Sequence, residues 1–106
     1  MPKYLMEASY TAEGAKGLAK EGGAGRRKAV EETVKSLRGT VDAFYYAFGK
    51  NDVYLIVDLP DAVTAAAVSL AINATGAVNL RTHVLMTPEE MDQAAKKSVT
   101  YRAPGK

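Results

Sequence analysis

Apolar and polar residues alternate from Lys3 to Tyr10, with Tyr4, Met6, Ala8 and Tyr10 on one side and Leu5, Glu7 and Ser9 on the other. This alternation predicts a strand, because successive side chains of extended backbone point to opposite faces. Thr11 to Gly25 reads as a glycine-rich connection: Thr11-Ala12-Glu13-Gly14 opens a short helical turn, and Gly22, Gly23 and Gly25 mark a loop. From about Arg26 to Arg38 the period changes. Val30, Val34 and Leu37 recur at helical spacing, and Arg27/Glu31, Lys28/Glu32 and Glu31/Lys35 set opposite charges one turn apart. Gly39 is the expected stop of that helix.

Thr40 to Phe48, rich in aromatics, predicts a second strand, and Val53 to Leu59 a third. Gly49-Lys50-Asn51-Asp52 has turn chemistry, so these two strands should pair antiparallel. Pro60-Asp61 opens a second helix running to about Ala74, with Asp61 or a neighbour as N-cap and Gly76 as stop. Ala77 to Met86 is the fourth strand. Thr87-Pro88-Glu89-Glu90 then starts a third helix, with Thr87 as N-cap, Pro88 in the first turn and Glu90 closing a capping box. That helix ends near Lys97, and an extended tail follows. The predicted fold is α+β: a ferredoxin-like βαββαβ order with an added C-terminal helix and an antiparallel four-stranded sheet. The expected spatial order is fourth, first, third, second, with the central pair parallel. No repeat or linker divides the chain, so residues 1–106 are read as one domain.

In this architecture the helices cover one face of the sheet. The helix-facing set is Tyr4, Met6, Ala8, Val53, Leu55, Val57, Val78, Leu80 and Val84. The opposite face then carries Leu5, Glu7, Ser9, Tyr54, Ile56, Asp58, Arg81, His83 and Leu85. The second strand is ambiguous: Phe44, Tyr46 and Phe48 share one face, and Val41, Ala43, Tyr45 and Ala47 the other. A monomer would leave more apolar surface uncovered than soluble monomers usually do, which implies pairing through the open face. The second helix is apolar on nearly every side (Val63, Ala65, Ala66, Ala67, Val68, Leu70, Ala71, Ile72), and such a helix is normally buried on more than one side. A homo-oligomer, a dimer or larger, is therefore expected.

Composition narrows the chemistry. The 106 residues suffice for a self-contained core, and 47% hydrophobic content argues against disorder. With no Cys there is no disulfide, thiolate metal site, iron–sulfur cluster or cysteine nucleophile. The single histidine, His83, excludes a multi-histidine metal site within one chain, though not one completed by a second subunit; no metal and no cofactor are expected. Fourteen basic against 12 acidic residues leave a net charge of only +2, which gives no reason to expect a nucleic-acid partner. Lys3 to Glu7 lacks the apolar stretch of a signal peptide, and no window approaches the roughly 20 apolar residues of a membrane helix. A cytoplasmic protein without a membrane partner is the expectation.

Three groups of residues carry candidate chemistry. Glu7, Ser9, Arg81 and His83 share a face if the first and fourth strands pair. There His83 is the candidate catalytic base, with Glu7 to orient it and Arg81 to hold an anion. The same residues also suit interface hydrogen bonds. Gly23, Gly25, Arg26 and Arg27 run into a helix, where backbone N–H groups and two guanidinium groups suit an anion, although the spacing is neither a Walker nor a dinucleotide motif. Tyr10, Tyr45, Tyr46 and Tyr54 can line a pocket for a small molecule or serve as core and dimer contacts; Tyr46 and Tyr54 join Glu7, Ser9, Arg81 and His83 as the candidate ligand-binding set. Ala43-Phe44-Tyr45-Tyr46-Ala47-Phe48 lacks the basic and glycine positions of an RNA-recognition segment, so RNA is not the expected partner.

The segments Lys3 to Gly14, Gly22-Gly23-Ala24-Gly25-Arg26-Arg27, Ala43 to Gly49, Asp58-Leu59-Pro60-Asp61 and Leu85 to Met91 together resemble the GYD-domain family, in order and over nearly the whole chain. Where that family has Gly and then, one residue later, Tyr-Asp, this chain has Gly49 and then Asn51-Asp52. The resemblance implies a ferredoxin-like protomer that pairs sheet to sheet as a dimeric α+β barrel. It names no reaction. Three functions therefore stand open: a homo-oligomeric small-molecule-binding or accessory protein; a cofactor-independent isomerase, cyclase or monooxygenase acting on a small organic acid or aromatic; and an assembly unit without ligand.

Overall fold

The computed structural model describes residues 1–106. Its elements are β1 (Lys3–Tyr10), α1 (Ala12–Glu21), α2 (Gly23–Ser36), β2 (Thr40–Tyr46), β3 (Val53–Asp58), α3 (Ala62–Asn73), β4 (Val78–Leu85) and α4 (Pro88–Lys96). The sheet has four strands in the order β2-β3-β1-β4, compatible with the ferredoxin-like order. Every neighbouring pair is antiparallel, including the central β1–β3 pair that was expected to be parallel. Topology gives the reason. The hairpin after β2 returns β3 into the place beside β1, so β3 runs against both neighbours. No helix is long and apolar enough to cross a membrane.

The first connection differs most from expectation. Residues 12–21 form a ten-residue helix rather than a single turn, and the loop shrinks to Gly22. Thr11 caps α1 by accepting from the Gly14 N–H, and its own backbone and hydroxyl donate to the Ala77 carbonyl. Gly14 is required where it stands, because a Cβ there would lie 1.9 Å from the Ala77 carbonyl oxygen. Gly22, at φ 87°, turns the chain so that α2 begins at Gly23, three residues before the expected Arg26. α2 closes with a Schellman motif: the Gly39 N–H donates to the Val34 carbonyl and the Arg38 N–H to the Lys35 carbonyl. Arg38, not Gly39, takes the left-handed position, at φ 65°. Gly39 is needed one residue later, since its Cβ would fall 2.3 Å from the Asp58 carbonyl oxygen.

Tyr4, Met6 and Ala8 of β1, Val53, Leu55 and Val57 of β3 and Leu80 of β4 are buried beneath Val34 of α2 and Ala65 and Val68 of α3. Each large side chain buried there contributes about 1.5–3 kcal/mol relative to exposure. A β-bulge between Val41 and Ala43 resolves the ambiguous second strand. The extra residue, Asp42, shifts the alternation, so Val41, Phe44 and Tyr46 pair with the helix-facing Val57, Leu55 and Val53. Ala43 and Tyr45 face the other way, opposite Ile56 and Tyr54. Val84 shares the face of Tyr4 but remains 67% exposed, because it stands at the margin of the surface covered by α3.

Asp61 caps α3, accepting from the Thr64 N–H at 2.8 Å. Only Ala65 and Val68 of α3 are buried; Val63 and Leu70 face outward, so its second side is uncovered. Asn73, the last residue of α3, brackets Leu80 on the outer edge of β4: its Oδ1 accepts from the Leu80 N–H at 2.7 Å and its Nδ2 donates to the carbonyl at 3.1 Å. Thr87 and Glu90 form the expected capping box of α4, yet no residue of that helix is buried.

Candidate functional site

Cross-strand register assembles the polar cluster on the face without helices. Glu7 lies at the centre of a row, opposite Tyr54 of β3 on one side and Arg81 of β4 on the other. His83 stands opposite Leu5, diagonal to Glu7, with its Nε2 3.6 Å from Glu7 Oε2. This is an ion-pair distance for a protonated imidazole and too long for a hydrogen bond. Asn51 enters from the β2–β3 connection. Its Nδ2 donates to Glu7 Oε2 at 3.4 Å and to the Tyr54 hydroxyl at 3.3 Å. Ser9 pairs with Asn79 and opens onto a shallow hollow shared with Lys50, Asn51 and Arg81. Five of the predicted ligand residues, Glu7, Ser9, Tyr54, Arg81 and His83, thus lie on one face. Arg81 is exposed and makes no salt bridge, so its guanidinium is available to an anion.

Tyr46, the sixth, does not join them. The bulge turns it to the helix side, where its ring stacks edge-on against Phe44 and its hydroxyl donates to the Gly23 carbonyl at 2.9 Å. Burial raises its phenol above the ordinary tyrosine value, and the neighbouring Tyr10 adds to the shift. Tyr10 is raised as well, chiefly by burial, against the opposing pull of the Arg26 guanidinium.

The predicted anion segment is arranged differently from its sequence spacing. Gly23 and Gly25 lie in the first turn of α2. A Cβ at Gly23 would meet the Tyr46 ring at 3.0 Å, and one at Gly25 would meet Glu21 Cγ at 3.1 Å. The glycines therefore let an aromatic ring and a carboxylate side chain approach the helix start. Arg26 reaches Glu21 at 3.3 Å, whereas Arg27 pairs with Glu31 at 3.6 Å. The two guanidinium groups have separate partners and do not form a joint clamp.

Asn51 and Asp52, expected as turn residues at the family's Tyr-Asp position, both make contacts beyond the turn. Asp52 accepts from the Tyr10 N–H at 2.8 Å through its carboxylate, and its own N–H donates to the Ala8 carbonyl, which pins the β2–β3 connection to the end of β1. Asn51 stands where the family has its tyrosine, and no sequence signal pointed to its contacts with Glu7 and Tyr54. No three His, Asp or Glu side chains converge as a metal site would require.

An antiparallel four-stranded sheet, helices on one face and a polar cluster on the other define an α+β fold of ferredoxin-compatible order. The model of the GYD domain matches residues 4–95, and the chain belongs to that family. No curated protein and no solved structure matches it.

Proposed function

We propose that this GYD-domain chain is a homo-oligomeric small-molecule-binding or accessory protein whose copies pair through the uncovered sheet face. One observation carries the reading: that face sets Leu5, Ile56, Tyr45 and Tyr54 beside the Glu7–Asn51–Tyr54–His83 cluster. Apposing two such faces removes the apolar residues from water and leaves the polar groups lining a shared space. Arg81 then offers a cationic contact, and the His83 imidazole and Tyr54 hydroxyl offer further polar ones. The proximity of His83 to Glu7 favours a second reading, a cofactor-independent enzyme with the imidazole as base and the carboxylate orienting it.

Native mass spectrometry tests the pairing and the cargo together. The wild type is expected as a dimer or larger, with a retained small mass. Ile56→Asp should give a folded monomer, because it sets a charge in the centre of the proposed contact. A monomeric wild type, or an Ile56→Asp variant that still pairs, overturns the reading.

A further inference from the structure

A separate cavity lies on the opposite side of the sheet. α2 packs toward β2 and α3 toward β4, and between them a cleft of about 190 Å³ reaches the core. Met6 and Leu55 form its floor, and Val30, Phe44, Val68 and Ile72 its walls. Packed protein cores leave few voids larger than a water molecule, and an apolar cavity of about 150 Å³ already admits benzene. Of the 15 lining residues only Arg26 and Thr33 are neither aliphatic nor aromatic. Tyr10 also lines the cleft, and Tyr46 stands beside it, with its ring against Phe44 and its hydroxyl on the first turn of α2. The partner of Arg26, Glu21, is exposed and held through a single contact at 3.3 Å, so an incoming carboxylate can replace it.

We propose that this cleft binds a small monocyclic aromatic carboxylate, its ring among the core side chains and its carboxylate on the Arg26 guanidinium. The aromatic side chains of Phe44 and Tyr10 in the lining suit a ring, and the planar guanidinium fork suits a carboxylate. The pocket is distinct from the Glu7 cluster and does not depend on sheet-to-sheet pairing.

The test is calorimetric titration of the full chain with benzoate and, separately, with benzyl alcohol. Benzoate should saturate one site per chain, and benzyl alcohol should bind at least about tenfold more weakly, for want of the charge-assisted contact. Arg26→Gln should weaken benzoate by about tenfold or more, Arg26→Lys by less, and Arg27→Gln not at all. Val30→Phe, which fills the cleft, should abolish binding in protein whose circular dichroism is unchanged. Absence of saturable benzoate binding at millimolar concentration overturns the proposal. So does equal affinity in Arg26→Gln. Benzoate binding that is lost in His83→Ala but retained in Arg26→Gln would assign the ligand to the open face, overturning this site while leaving the proposed function standing.

Discussion

Arg38 and Gly39 show how the demands of one position can displace a residue from the place propensity would give it. A helix terminator is ordinarily a glycine in the left-handed position, and Gly39 was the natural candidate. The close pass of the Asp58 carbonyl claims Gly39 instead, and an arginine takes the strained angle. Arg38 is exposed, so Arg38→Gly removes the steric penalty and sacrifices no buried contact. It should stabilise the protein by roughly 0.5–1 kcal/mol in denaturant unfolding, the gain being reduced by the looser unfolded chain. Asp61 permits a pH prediction. The Thr64 N–H bound to its carboxylate lowers its pKa from the ordinary 3.8. Asp58 is also lowered: burial works to raise it, and the hydrogen bonds from Lys3 and Thr40 outweigh that. Both carboxylates therefore contribute stability that is present above the unfolded value and lost as pH falls through the lower folded one. The melting temperature should decline below about pH 4, and Asp61→Ala should lower it at neutral pH and flatten that acid limb.

At the scale of elements, what could be read in advance depended on whether a local pattern stood alone. β1, β3 and the capped starts of α3 and α4 were legible, because alternation or a side-chain cap fixes each locally. α1 was not, since Gly14 and Gly17 weaken its helical signal and Gly14 answers to Ala77, distant in sequence. The faces of β2 were undecidable for a similar reason. Its bulge at Asp42 exists only in the pairing with β3, where Lys3 meets both Asp42 and Asp58. Alanine substitutions measure the assignment: Phe44→Ala should cost about 2 kcal/mol or more by chemical denaturation, and Tyr45→Ala less than about 0.5 kcal/mol in the protomer. The reverse order would place the bulge wrongly. Of the candidate site, the Glu7–Arg81–His83 grouping followed from strand order alone. Asn51 did not, because its reach depends on the path of a connection that no periodicity describes.

The whole molecule has a radius of gyration of 16.9 Å, where about 13 Å is expected for a compact chain near this length. α4 buries no residue against the rest of the fold. Exposed large apolar side chains include those of the open sheet face, the outer side of α3 near Val84, Phe48 in the β2–β3 connection, and Met91, Val99 and Tyr101 in the C-terminal arm. The two candidate sites lie on opposite faces of the sheet, so each can be altered without touching the other.

The Asn73 side chain that brackets Leu80 has a consequence for how copies can meet. A bare edge strand is a template on which another strand can add, and repeated addition produces open-ended growth. Here Asn73 already occupies the outward N–H and C=O of Leu80, and at the other margin the bulge in β2 breaks the ladder. Each margin thus carries one device that hinders lateral addition, at Leu80 in β4 and at the Asp42 bulge in β2. The pairing proposed above would instead use a broad face, where a twofold contact closes on itself and stops at a finite size.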